Sequence, residues 1–287
     1  MSPSAFAPAK VNLYLHVGPL GPDRYHPIES WMVFADVGDE VSLSPGGAYG
    51  LALAGPYAGE VPAGPDNLVL RARDAAMAEM TRASVQRFGL RLEKNLPVAS
   101  GLGGGSSDAA ATLRLMGEYL GLPATKLADL ARSLGSDVPA CVMARSLIAR
   151  GRGEQISPGF ESPPMHAVLV NPGRAVSTAA VFGLFDQGRH EPLGEGLAAR
   201  TLSSLDDVLG VLAATRNDLE APALRIEPAI GEVLAALRAS PAVRLARMSG
   251  SGATCFGLCE NPQAAEGLAA SLERDHPGWW VKVCTLS

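Results

Sequence analysis

The sequence predicts an α+β protein of two domains. Three observations carry that expectation. Segments with a two-residue apolar period and segments with a helical period are mixed along the chain without the regular alternation of a parallel α/β fold. With 287 residues, 47% of them hydrophobic and 18% charged, the chain has the length and apolar content to bury a large core. One run, Ser157-Pro-Gly-Phe-Glu-Ser-Pro-Pro164, is rich in Pro and Gly and carries no periodicity, which marks a boundary between domains over 1–160 and 161–287.

The chain opens on a strand. Val11, Leu13, Leu15 and Val17 alternate with Asn12, Tyr14 and His16, so one face is apolar, and Lys10 and Asn12 share the other. A Gly/Pro turn over 18–22 leads to Tyr25-His26-Pro27, and strands are expected near Trp31 to Val37 and Glu40 to Leu43. A helix follows from about Asn67 to Met80, then a strand in which Leu90 and Leu92 alternate with polar residues. Ala109 to Leu120 holds strong helix formers, with Leu113 and Met116 at helical spacing and Gly121 placed to stop them. The helix is expected over Ser107 to Leu120, with Ser106 or Ser107 as N-cap. Another is expected from Thr125 to Leu134, and Ser146 to Ser157, broken at Gly151-Arg-Gly153, reads as a hairpin. Past the boundary come a strand through Ala167 to Val170 and helices near Thr178 to Phe185, Leu205 to Ala214 and Pro228 to Ala239. A strand pair around Ser249-Gly-Ser-Gly252, a helix and a last strand ending near Cys284 complete the chain.

Composition excludes several classes. A net charge of -5 gives no global attraction for nucleic acid or an anionic membrane, so an anionic ligand has to be held by a local site. The first ten residues lack the apolar core of a signal peptide, and no run approaches about 18 consecutive apolar residues, which predicts a cytoplasmic protein. Cys141, Cys255, Cys259 and Cys284 sit among apolar residues, and Cys255-Phe-Gly-Leu-Cys259 has no second pair or nearby histidine to complete a zinc site. Buried free thiols are expected.

The stretch richest in chemical information is Pro97-Val-Ala-Ser-Gly-Leu-Gly-Gly-Gly-Ser-Ser-Asp108. A strand in front and a capped helix behind mean that Pro97, Val98, Ala99, Ser100, Gly101, Leu102, Gly103, Gly104, Gly105, Ser106 and Ser107 deliver the chain to a helix N-terminus. There, unpaired N–H groups and about half a positive charge stabilise an anion. Glycine lets a phosphate approach the backbone and supplies the positive-φ conformations such a loop uses. A P-loop requires Gly-Lys-Ser/Thr, and no lysine lies between Pro97 and Asp108. A dinucleotide fingerprint starting at Gly101 meets Ser106 where its third glycine or alanine should stand. A plain strand-helix turn is the structural alternative, and Asp108 beside a phosphate adds repulsion unless it caps the helix or faces Mg²⁺.

Phosphoryl transfer needs a base or orienting group and positive charge near the moving group. Asp137 lies in Gly135-Ser-Asp-Val-Pro139, a constrained turn where an aspartate could accept a hydroxyl proton; spacing alone favours an ordinary N-cap for a helix starting at Val138. Lys10 with Asn12 could lower a carboxylate's pKa and stabilise a phosphoryl group, or could simply face solvent. Met248-Ser-Gly-Ser-Gly-Ala-Thr254 is a second Gly/Ser loop, equally a hairpin turn or a phosphate contact.

Taken together, these letters resemble the GHMP kinases. Ala7-Pro-Ala-Lys-Val-Asn12, Pro97 to Asp108 and Met248 to Thr254 look like the family's three motifs in its order and spacing. Arg24-Tyr-His26, Gly38-Asp39, Asp66-Asn-Leu68, Gly135 to Pro139 and Asn217-Asp-Leu-Glu220 extend the likeness over nearly the whole chain. The resemblance implies an N-terminal domain like ribosomal protein S5 domain 2 and a C-terminal ferredoxin-like α/β domain. It also implies ATP as co-substrate with Mg²⁺, and transfer of the γ-phosphoryl to the 2-hydroxyl of a cytidine-diphosphate-linked methylerythritol, with no nucleic acid or membrane partner. In that likeness Asp137 takes or orients the hydroxyl proton and Lys10 acts beside it. The run from Pro97 to Ser107 wraps the ATP phosphates, with Asn67 nearer the adenosine. Tyr25, His26 and Phe182 hold the cytosine, and Asn12 and Thr178 contact substrate near the reacting hydroxyl. Alone, Tyr25 and His26 would be loop residues, Phe182 a core residue and Thr178 an N-cap. Arg24 and Ser136 stand where glycine and alanine are commoner, which leaves every functional group in place. A family kinase for another alcohol, of the homoserine or mevalonate type, would not need the Tyr25-His26 pair. A sensor that had lost catalysis should lack the lysine or the aspartate.

Overall fold

The computed structural model describes residues 2–45, 49–80, 88–188, 190 and 192–287. Strands and helices are mixed, as the α+β expectation requires. Two compact units emerge from the packing. The first comprises Met1–Ala9, Gly38–Val98 and Gly103–Ala144, and the second Lys10–Val37, Ala99–Leu102 and Arg145–Ser287.

Two long strands contribute residues to both units. β1 spans Ser4–Val17 and pairs with β2, Ile28–Pro45. The two strands expected over this region are one, because Gly38-Asp39 is not a turn. Gly38 lets two backbones touch: a Cβ there would stand 2.2 Å from the carbonyl oxygen of Ala7.

In the first unit, β3 (Gly50–Ala54) runs parallel to β4 (Phe88–Glu93), with α1 (Leu68–Met77) between them in sequence. β4 pairs antiparallel with β2 through Glu40↔Glu93 to Leu43↔Leu90. α2 (Gly104–Leu120) packs against α1, α3 (Ala124–Leu134) and α4 (Val138–Met143). Alanine makes that close packing possible: Ala109, Ala110 and Ala111 are all fully buried. The α2 helix ends, as expected, at Gly121 in the left-handed region with φ 66.

In the second unit, β5 (Leu147–Gly151) pairs with Ile28 to Met32 of β2 and with β6 (Gln155–Pro158), forming the expected hairpin. Ala35 pairs with Leu286 of β10 (Trp280–Leu286), and the antiparallel order continues through β7 (Met165–Asn171), β9 (Cys255–Cys259) and β8 (Val243–Met248). α8 (Ala229–Ala239) lies against β8 and β9, and α9 (Pro262–Asp275) against β10 and β7. Their apolar stripes, Ile230, Val233, Leu234 and Leu237 with Leu268 and Leu272, meet Val168, Val170 and Cys255 in one core. Burying each such side chain contributes about 1.5–3 kcal/mol. α5 (Thr178–Phe185) and α6 (Leu205–Ala213) fall where expected, while α7 (Glu220–Ile226) was not foreseen.

All four cysteines are free and buried, as their apolar surroundings predict. Burial pushes the Cys259 thiol up to about 11. Among the described residues no helix is long and apolar enough to cross a membrane.

Candidate active site

Three stretches distant in sequence converge in the second unit. Lys10 and Asn12 share a face of β1, as their parity predicts, but that face is buried. Lys10 Nζ donates to Asn12 Oδ1 at 2.7 Å, which supplies one of the partners a buried ammonium requires. Asn12 Nδ2 donates to Ser30 Oγ at 2.7 Å, and Ser30 Oγ to the carbonyl of Tyr14 at 2.6 Å. Asn12 N donates to Ser249 Oγ at 3.1 Å, and Ser249 Oγ to the carbonyl of Gly101 at 3.0 Å. Backbone bonds from Lys10 N to Leu102 O at 2.9 Å and from Thr254 N to Ser100 O at 3.0 Å complete the weave. The Ala99–Leu102 part of the glycine run is therefore held between β1 and the β8–β9 loop.

That loop is itself pinned. Asn217 Nδ2 donates to the carbonyls of Met248 and Gly250, each at 2.8 Å, while its Oδ1 accepts from Leu219 N. Sequence reasoning quoted Asn217 only as part of a motif; its buried amide fixes the third loop. Thr178 lies beside the loop, its Oγ1 2.8 Å from Ser251 Oγ. It is not the N-cap of α5; Ser177 is, accepting from Ala180 N.

Of the three ring-bearing residues expected to hold the base, His26 and Phe182 meet. His26 stacks on Phe182 with 5.1 Å between centroids and 28° between planes, and meets Phe185 edge-on at 5.5 Å. Its Nδ1 faces the carbonyl of Gly18 at 2.9 Å and its Nε2 lies 3.0 Å from Asp186 Oδ1. Tyr25, next in the loop, is 54% exposed.

In the first unit the remainder of the glycine run, Pro97, Val98 and Gly103 to Ser107, leads into α2. The helix starts at Gly104, three residues before the expected position, and its N-cap is Gly103, not Ser106 or Ser107. Gly103 has φ 63 and no side chain with which to bond the first-turn N–H groups, so the helix reaches its N-terminus with an open cap. A helix N-terminus of this kind favours an anion. Ser107 lies inside the helix, and its Oγ donates to the carbonyl of Pro8 at 2.7 Å.

Asn67 caps α1, accepting from Val69 N at 2.8 Å and donating to Pro62 O at 2.7 Å. Asp137 takes the N-cap position of α4 favoured by its spacing, yet its side chain makes no capping hydrogen bond.

Asp108 neither caps α2 nor is left against a phosphate. Lys94 Nζ lies 2.7 Å from Asp108 Oδ2 and 2.5 Å from Asp39 Oδ2, with all three side chains buried. Asp39 Oδ1 accepts from Asn95 N and Leu96 N. The cluster reaches the glycine run, since a Cβ on Gly104 would stand 2.9 Å from Lys94 Nζ. Burial drives the Asp108 carboxyl up to about 7, against the pull of Lys94 and with the push of Asp39. Sequence reasoning missed Lys94. The signal was parity: Lys94 follows Leu90 and Leu92 on the buried side of its strand, where a cation needs acidic partners.

Among the described residues no group of three or more His, Cys, Asp or Glu could hold a metal.

The glycine run thus leads to an open helix N-terminus, and a second glycine loop is bonded to a lysine-bearing strand. Residues 67–145 match the family model of the GHMP kinases N terminal domain and residues 184–277 that of the GHMP kinases C terminal. The chain belongs to the GHMP kinase family, and it is a small-molecule kinase using ATP as co-substrate. It is 54% identical over 291 residues to the 4-diphosphocytidyl-2-C-methyl-D-erythritol kinase of Caulobacter vibrioides (strain NA1000 / CB15N), covering 99% of both chains. It is 46% identical over 279 residues to that of Cereibacter sphaeroides (strain ATCC 17025 / ATH 2.4.3), covering 97% of each. A crystal structure of 4-(cytidine 5'-diphospho)-2C-methyl-D-erythritol kinase superposes with a TM-score of 0.79 at 35% identity over 99% of both chains. A mevalonate kinase from L. major, at 14% identity and a TM-score of 0.67, shares the fold alone.

Proposed function

We propose that the protein transfers the γ-phosphoryl of ATP to the 2-hydroxyl of 4-diphosphocytidyl-2-C-methyl-D-erythritol, giving ADP and the 2-phosphate ester. The observation that carries this reading is 54% identity over essentially the full length to a relative of that name. The contact of His26 with Phe182 supports the same choice of substrate, since a homoserine or mevalonate kinase has no base to hold.

The roles follow from the chemistry of each group. Gly103 to Ser106 present backbone N–H groups to the ATP phosphates, and Pro97 to Leu102 with Ser107 shape the loop around them. Asn67 lies toward the adenosine. Mg²⁺, when bound with the nucleotide, neutralises phosphate charge. Asp137 takes or orients the proton of the attacking hydroxyl, and the Lys10 ammonium stabilises charge on the phosphoryl group in flight. Asn12 orients that ammonium and, with Thr178, contacts the substrate near the hydroxyl. Tyr25 and Phe182 stack on the cytosine and His26 hydrogen-bonds it. Nucleotide handling belongs to residues 1–160 and completion of the acceptor site to 161–287, in a protein of the cytoplasm.

The test is ADP release against a panel of alcohols. Turnover with the cytidine-diphosphate-linked methylerythritol should exceed that with homoserine and mevalonate by several orders of magnitude. Comparable turnover with either of those would replace this reading by another kinase of the family, and no turnover with any would point to a non-catalytic sensor.

A further inference from the structure

The loop carrying Tyr25 is held by a residue more than a hundred positions away. The turn between β5 and β6 has Gly151 at φ 68 and Gly153 at φ 111, and Arg152 stands between them. Arg152 N donates to Glu154 Oε2 at 2.6 Å, which fixes the turn. From there the Arg152 guanidinium lies on the Tyr25 ring, its central carbon 3.9 Å from the ring centroid. Its Nη2 and Nε donate to Asp23 Oδ2 at 2.7 and 3.2 Å. The other oxygen of Asp23 accepts from Tyr25 N at 3.1 Å.

These contacts close a ring: Asp23 grips the Tyr25 backbone with one oxygen, and with the other holds the guanidinium that lies on the Tyr25 side chain. The loop is otherwise tight. Gly21 N donates to Tyr25 O at 2.8 Å, and Arg24, at φ 64, occupies a conformation that non-glycine residues rarely adopt. Tyr25 is more than half exposed, so little else restrains its ring. An exposed Arg–Asp pair contributes little by itself. Here the same guanidinium also covers one face of an aromatic ring, where a cation is attracted by the ring quadrupole.

We propose that Arg152 is a positioning residue for Tyr25: stacked on one face of the ring, it holds the other in place to receive the pyrimidine of the substrate. The proposal rests on the reading of Tyr25 as a base-stacking residue. A ring already fixed before binding loses less side-chain freedom when the base arrives, so Arg152 acts on substrate affinity and not on the chemical step.

Steady-state kinetics of the full-length enzyme test this with R152A, R152K, Y25A and the double variant. R152A should raise KM for the cytidine substrate about three- to tenfold and leave kcat and KM for ATP within about twofold. R152K, which keeps the charge but loses the planar stack, should fall between wild type and R152A. Y25A should raise the same KM, and adding R152A to Y25A should change it no further. If Y25A raises KM but R152A does not, the positioning role is wrong and the base-stacking reading stands. If Y25A has no effect, the base-stacking reading itself fails and this one with it. Additive effects of the two substitutions would show Arg152 acting independently of Tyr25. A joint fall in kcat and thermal stability in R152A would reduce it to a structural residue. Either result overturns the proposal.

Discussion

Lys94 Nζ lies 2.7 Å from Asp108 Oδ2, and the two side chains retain only 4% and 3% of their exposure. Asp39 shares the same ammonium, so the cluster holds one cation and two carboxyl groups where water cannot help. Burial, the largest influence, raises Asp108 to about 7 from an ordinary 3.8. For Lys94 burial acts downward, but Asp108 and Asp39 outweigh it and hold the ammonium above its usual range. A carboxyl whose folded pKa is raised binds its proton more tightly when folded. Its contribution to stability is fully present below about pH 4 and is lost as pH rises to about 7, by up to about 1.4 kcal/mol per pH unit. Asp108→Asn removes that titration. Urea unfolding of both proteins between pH 4 and 8 should show wild type losing stability relative to the variant over this window. A difference that is flat, or that grows with pH, would rule out the raised carboxyl.

Gly101 tests the convergence of the glycine loops. At φ 78, and with a Cβ that would stand 2.4 Å from Ser249 O and 2.9 Å from Gly252 N, the position has no room for a side chain. Gly101→Ala should cost about 2–4 kcal/mol, combining left-handed strain with displacement of backbone. It should also lower kcat/KM about a hundredfold by moving the Ser249 hydroxyl from Asn12 N. Gly105→Ala is the control for stability: a Cβ there would meet Leu68 Cδ1 at 3.9 Å, an ordinary contact. Thermal melts of the pair should separate clearly, and equal stability would count against the close packing.

The Asn12 side-chain amide joins Lys10 to Ser30, so removing it takes one acceptor from the buried Lys10 ammonium and one donor from Ser30 Oγ, while the backbone bond from Asn12 N to Ser249 Oγ is kept. Asn12→Ala should cost about 1–3 kcal/mol for the unsatisfied groups and lower kcat about 10- to 100-fold through a misplaced Lys10 ammonium. Ser30→Ala, which touches the amide but not the lysine, should reproduce part of the stability loss and little of the loss in kcat. Equal kcat losses would mean that Asn12 does not act through Lys10.

Much of this was legible in the sequence, and what was not has identifiable causes. α5 begins at Thr178 and ends at Phe185 as read, because Ser177 offers a capping oxygen ahead of an unbroken apolar run. The start of α2 was misplaced because side-chain capping favours serine, whereas Gly103 caps by adopting the left-handed conformation. β2 was split in two because Gly38 reads as a break, and only the structure shows the carbonyl of Ala7 that the glycine accommodates. α7 was missed because Pro222 suggests a stop, although proline is tolerated in a first helical turn. At the site, residue types and spacing single out the two glycine loops and Lys10, and the structure places Lys10, Ala99–Leu102 and the β8–β9 loop together. The bonds that tie Asn12 to Ser249 and Lys94 to Asp39 are pairings across long sequence separations that no local pattern encodes.

Asp137 carries the sharpest prediction about chemistry. It stands at the head of α4, where an aspartate would ordinarily accept a first-turn N–H, yet that bond is not made. Asp137→Asn keeps the shape and the capacity to cap while removing the basic oxygen, so a purely structural aspartate would tolerate it with little change in stability or turnover. A general base would not: kcat should fall about 10²- to 10⁴-fold, with KM for ATP and the melting temperature nearly unchanged. On the proposed role of Lys10 as a source of charge, Lys10→Ala should also depress kcat, and the double variant should lose far less than the product of the two single losses if both groups act on one transition state. Single-turnover phosphoryl transfer, monitored in all three variants, isolates the chemical step from product release. A kcat for Asp137→Asn within a few-fold of wild type would remove the aspartate from the proton's path and leave it as a helix-end residue.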